Sequence, residues 1–306
     1  MYARAAVGLA AFALLLSSCM TGAEEVLSFP TYIQATRQFP LEITVPPVLS
    51  GAGNYGLVAS GDTLYHMELR HGRIHHRTGF DGPVTGLAPG GGKNIFVAGG
   101  NTVYLVQGAD IVMFEQMNSD ILFLTACGDN PVVYLADSSI CLLSHADLSV
   151  TAAATTDISS VCAFCGFSSW LCIGGEDGSM ESRSVPSLDL KCSEKVNGLL
   201  QFMTGAGENN LLFSSERWNE VAVCSPQDLR ISVMFTFPVT PCYAYADSTL
   251  SFVFAVLPDN GIEVCSASGE IKWRGKGYGS DSFVTLADDL ETALISSGNR
   301  VDILLR

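Results

Sequence analysis

IFVAGGNTVYLVQG, residues 95–108, reads as two strands joined by a bend. Ile95 to Ala98 is a short apolar run, Gly99-Gly100-Asn101 supplies the residues that a tight turn prefers, and a second apolar run starts at Val103. One such hairpin means little. Its weight comes from recurrence. The same plan returns in GLVASGDTLYHMEL from Gly56, VVYLADSSICLLSH from Val132, WLCIGGEDGSMESR from Trp170, LLFSSERWNEVAVCS from Leu211, FVFAVLPDNGIEVCS from Phe252 and TALISSGNRVDILLR from Thr292. Successive starts lie 39, 37, 38, 41, 41 and 40 residues apart. A hairpin repeated at a period of ~40 residues marks an array in which each repeat is one small sheet.

Strand-like segments flank each hairpin. Those before it include PVTGLAPG from Pro83, ILFLTAC from Ile121, SVCAFCG from Ser160 and LQFMTGAG from Leu200. Those after it include RIHHRTGF from Arg73, DIVMFEQM from Asp110, RISVMFTF from Arg230 and EIKWRGKG from Glu270. Four strands per repeat and seven repeats predict an all-β chain, a seven-bladed β-propeller spanning residues 39–306. The seventh repeat lacks a fourth strand because the sequence stops at Arg306. The alternating segment Phe39 to Thr44 is expected to supply it, closing the ring with an N-terminal strand.

Two repeats carry a further pattern. Val264 to Trp273 runs through small and apolar residues to Gly269 and then Trp273, four residues on; Met67 to His76 has the same form with Gly72 and with His76 in the aromatic place. This resembles the quinoprotein-type propeller repeat. The resemblance implies the propeller fold and no quinone site, and no cofactor is expected. The Gly-His and Trp-Asp pairs of plain WD repeats do not occur.

Ahead of the repeats, Arg4 precedes AAVGLAAFALLL, residues 5–16, a run too short to span a bilayer, which takes ~20 residues. It suits the apolar region of a signal peptide. Leu16-Ser17-Ser18-Cys19 then resembles a bacterial lipobox. That resemblance implies cleavage between Ser18 and Cys19, acylation of Cys19 and membrane attachment through lipid. Met20, rather than Asp, at the next position implies sorting to the outer membrane. The expected parts are a signal peptide over 1–18, a lipidated cysteine with a short tether over 19–38, and the propeller. After cleavage all 31 Asp and Glu would face 15 Lys and Arg, a balance of −16. Such a chain lacks the basic surface that nucleic-acid binders need.

Few motifs suggest catalysis. No GxSxG elbow and no GxxxxGK[ST] phosphate loop occurs. Beyond Cys19 there are nine cysteines, mostly among apolar strand residues, which points to core packing. His66, His71, His75 and His76 crowd one repeat without metal-ligand spacing. In a propeller, the bends between second and third strands share a face with the links from one blade to the next. The bends hold Asp62, Asp137, Glu176, Asp177 and Glu216, and one link holds Asp157. These residues, with Trp218 at a bend tip, are the candidate binding rim. Asp and Asn also favour turns for local reasons, so ordinary turn chemistry is the competing reading. The expected function is a non-enzymatic, membrane-anchored interaction scaffold whose partner is an envelope protein or cationic ligand. The alternative is a metal-dependent propeller hydrolase or lactonase, which would gather acids, Asn or His over the central channel.

Overall fold

The hairpin at residues 95–108 folds as its sequence suggests. In the computed structural model, which describes residues 29–50, 55–259, 261–287 and 291–306, Asn94–Gly99 pairs antiparallel with Thr102–Gln107 around Gly100-Asn101. Val84–Pro89 joins one side and Asp110–Gln116 the other. The chain repeats this inner-to-outer order, giving seven four-stranded antiparallel sheets, the blades of a propeller.

The closing strand is Tyr32–Gln38, not Phe39 to Thr44. It pairs with the last strand, Arg300–Leu305, which makes it the outer strand of blade seven. The expected tether over 19–38 therefore includes a strand of the ring. Residues 39–47 instead form the link to blade one. Phe39 and Ile43 donate backbone hydrogen bonds to Asn299 and Gly298, both at 2.8 Å, and their side chains turn into the core. Pro40 has no N–H to give a ladder, so the run was poorly suited to a central pairing. The signal peptide over 1–18 and Cys19 lie outside the described residues.

The apolar residues gather in separate clusters, each at a seam between neighbouring blades. Phe96, Leu105, Leu124 and Val133 fill the seam of blades two and three. Phe213, Cys172 and Cys224 fill that of blades four and five. At blades six and seven, Phe29 stacks on Phe252 with ring centroids 4.5 Å apart. Each fully buried side chain of this size stabilises by ~1.5–3 kcal/mol. Close approach is required in places. A Cβ on Gly166 would collide with the Ala126 carbonyl of blade three. Gly178, in the blade-four bend, has φ +82, and a Cβ there would lie 2.5 Å from the Gly198 oxygen, so both positions favour glycine.

Polar groups stitch the same seams. On the inner strands, Thr204 donates to Ala244 O at 2.7 Å, and Thr285 donates to Pro47 O at 2.7 Å. Arg37 of the closing strand donates to His71 O of blade one at 2.9 Å. Three buried carboxylates, Glu181, Glu263 and Asp302, sit on third strands in blades four, six and seven.

Candidate functional site

One face of the ring is built from the bends and links. An apolar residue directly after most outer strands turns inward and fixes the link against its own blade's bend. Phe80 N donates to Asp62 O at 2.9 Å, Met117 N to Asn101 O at 2.7 Å, and Phe237 N to Asn219 O at 2.7 Å. The loops of this face are thus held by backbone hydrogen bonds.

Their side chains are acidic. Glu42, Asp62, Asp81, Asp120, Asp137, Asp157, Glu176, Asp177, Glu216, Asp259 and Asp281 all lie in these bends and links. Among the described residues of the same loops the only cation is Arg217. The opposite face mixes signs: Asp129, Asp147, Asp189, Glu208, Asp228, Asp247 and Glu270 share its loops with Arg70, Arg73, Lys93 and Arg230. One face therefore carries a one-signed field, which attracts cations from solution.

The six candidate acids are all exposed, and the structure brings them onto this one face. They differ in local duty. Asp137 accepts hydrogen bonds from Ser139 N and Oγ, and the Ser139 hydroxyl is the main cause holding its carboxyl below the usual range. Asp177 accepts from Lys195 Nζ at 2.7 Å and from Ser179, and the Lys195 bond leads in lowering its pKa to about 2. Both acids brace turns as well as carrying charge. Asp62 accepts from Thr63 Oγ1 at 2.9 Å, and Glu216 lies 3.9 Å from Arg217 Nε. Trp218 is not a projecting tip. It is half-buried against its own blade, 5.8 Å from the Phe213 ring.

Three apolar side chains on this face escaped the sequence reading. Leu41, Leu122 and Leu199 are 58%, 47% and 48% exposed. Leu122 and Leu199 belong to the doublets Ile121-Leu122 and Leu199-Leu200, whose other members are buried. On a strand, neighbours point to opposite sides, so an apolar doublet at a strand start signals one outward residue.

The inner strands enclose a channel with a volume of about 1070 Å³. Thr85, Leu122, Cys162, Gln201, Tyr243 and Phe283 line it, and among the described residues its one charged lining residue is Glu208, which accepts from Ser168 N at 2.8 Å. Among the described residues no group of three or more His, Cys, Asp and Glu is placed to hold a metal. Cys162, in the one CxxC, borders the channel, and burial with Glu176 nearby raises its thiol to about 11; Cys165 is buried and raised by burial to about 12. All nine described cysteines are free thiols. The histidines divide. His66 is buried, its Nε2 lacks a hydrogen-bond partner among the described residues, and burial, then His76, lowers its pKa. His71 and His75 are exposed around Glu68, at 3.3 and 3.5 Å.

No family model matches this chain, and no curated protein matches it. Among solved structures it is similar to the β-propeller domain of Cps50 (Swd1) from Myceliophteria thermophila, with a TM-score of 0.76 and 12% identity, over 90% of this chain and 100% of that one. At that identity the likeness speaks for architecture alone, and architecture does not determine activity. Its seven sheets and this neighbour together make the chain a seven-bladed β-propeller.

Proposed function

We propose that this propeller is a non-enzymatic interaction platform of the cell envelope, tethered by lipid at Cys19, and that it captures a basic partner on its acidic face. The observation that carries the reading is the composition of that face: a ring of loop carboxylates, one loop cation, and exposed Leu41, Leu122 and Leu199 among them. Charge steers a cationic partner in, and apolar contacts hold it. The propeller fold suits such a scaffold. Among the described residues that line the channel, Glu208 is the one carboxylate, fewer than the several donors a metal hydrolase gathers. The lipid anchor rests on the Leu16 to Cys19 motif.

The test separates anchor from face. Cys19→Ser should move the protein from membranes to the soluble fraction and end incorporation of labelled fatty acid. In the soluble domain, Asp62→Asn, Asp157→Asn and Glu216→Gln together should weaken binding of a basic peptide about tenfold at low salt and flatten its salt dependence, with the melting temperature little changed. Unaltered binding in the triple variant would remove the acidic face from the mechanism.

A further inference from the structure

The outer strand of every blade has one edge facing solvent, and the seven edges are not alike. Lys or Arg lies on the outer strands of four blades: Arg77 in blade one, Lys191 and Lys195 in blade four, Lys272, Arg274 and Lys276 in blade six, and Arg37 in blade seven. Cations on an edge strand are a common guard against pairing with another chain, because a long charged side chain must be desolvated when a new strand docks. Blades two, three and five have no such residue on their outer strands.

Blade two is the most open of the three. Its outer strand, Asp110–Gln116, is seven residues long, and Ile111, Val112 and Phe114 are 39%, 47% and 66% exposed. Phe114 rests on Tyr104 at 6.4 Å between centroids, and Tyr104 on Phe80 at 4.9 Å, so the exposed ring is buttressed from within the seam. The strand lies at the end of its sheet. It is also the only cation-free edge with carboxylates, Asp110 and Glu115; Val150–Thr155 and Ile231–Thr236 carry no charge, and all three strands have the bulge that recurs on outer strands.

We infer that this edge is a second docking site, which takes an extended peptide segment as a fifth strand of blade two, and that the segment alternates aliphatic residues with Lys or Arg. Backbone pairing supplies the affinity in such strand addition, and side chains at alternate positions supply the selection. Val112 and Phe114 offer an apolar surface to the aliphatic positions, and Asp110 and Glu115 offer partners to the cations. Charge argues against a second copy as the occupant, since each chain carries a net −15 and both edges would be acidic. A segment of about seven residues spans the strand at ~3.3 Å per residue.

The experiment uses the soluble domain and a synthetic heptapeptide of alternating Lys and Val, with an alternating Glu and Val peptide as comparator. Hydrogen exchange is followed by mass spectrometry, and affinity by fluorescence anisotropy. Bound Lys peptide should slow exchange over residues 110–116. Val112→Lys, which installs the guard found on other blades, should weaken binding about tenfold, while Val233→Lys on blade five and the acidic-face triple variant should still show the protection at 110–116. Protection confined to the acidic face or to blade five, equal binding of Val112→Lys, or equal binding of the Glu peptide would each overturn the inference. Concentration-dependent dimerisation without peptide, abolished by Val112→Lys, would overturn the choice of occupant.

Discussion

Blades four and seven place a carboxylate at the same point of the same strand and surround it differently. The third residue of Ser179–Ser184 is Glu181, and that of Arg300–Leu305 is Asp302. Glu181 finds its partner two residues away. Arg183 Nη2 lies 2.8 Å from it, and other guanidinium N–H bonds go to Leu188 O and to Thr155 O of blade three. Asp302 also has a cation two residues away, Arg300 Nε at 3.3 Å, but in addition receives Thr36 Oγ1 of the closing strand at 2.6 Å and Tyr278 Oη from the end of blade six at 3.0 Å. Blade six has Glu263 there, also buried and 2.7 Å from Arg274 Nε on its outer strand, while the other four blades hold Tyr65, Tyr104, Cys141 and Ala222. The repeat does not demand an acid there. In blade four the acid is held by one cation on its own strand, and it is that cation, not the acid, that reaches blade three. In blade seven the acid is a junction of three segments, two of them from opposite ends of the chain.

That contrast can be broken by removing the closing strand. Deletion through Gln38 strips Asp302 of Thr36, leaves blade seven with three strands and removes the buried Phe29. A buried Phe alone is worth ~3–5 kcal/mol, so the urea midpoint should fall far below that of a deletion ending at residue 28. Matching midpoints would mean that the ring does not need this strand.

A smaller loss is expected from Arg183→Ala, which strands Glu181 in a buried site at a cost of ~3–5 kcal/mol. Replacing both residues by Met and Leu should restore most of it, because the pair serves no segment beyond its own seam. No recovery in the double variant would show that the Arg183 bonds to Thr155 and Leu188 matter more than the pair.

The smallest effect sharpens the comparison. Asp302→Ala should cost ~1.5–3 kcal/mol, the range for hydrogen bonds to a charged group, and Thr36→Val ~1 kcal/mol. The two should be sub-additive, since they share one bond. Strict additivity in denaturant titrations would count against the junction.

The hairpins were legible because each announces itself twice, by an apolar run and by a bend, and then recurs. The closing strand was not. Outer strands are largely exposed, and Tyr32–Gln38 carries little apolar alternation. The run that did alternate, Phe39 to Ile43, does so because two of its side chains enter the seam of blades seven and one from an irregular link. On the acidic face, Asp62 and Glu216 could be placed by counting loops, as sequence order fixes which loops share a face. Trp218 could not be oriented, since whether it projects depends on Phe213 across the hairpin. Met180-Glu181-Ser182-Arg183 looks like a solvated strand when read alone. Only the neighbouring blade, with Thr155 in reach, makes it an interior.

The meeting of Thr36 with Asp302, 266 residues apart in sequence, also sets an order of events. Blades one to six can each assemble from residues that leave the ribosome within ~40 positions of one another, and short loops close fast. The seventh sheet cannot be completed until Arg300–Leu305 has been made. Until then the strand at residues 32–38 waits unpaired, and the ring is an open arc with blades one and seven exposing the walls that will later touch. Sealing of the ring therefore has to wait for Arg300–Leu305, and a chain stalled before that strand would hold its sticky walls apart for as long as the stall lasts.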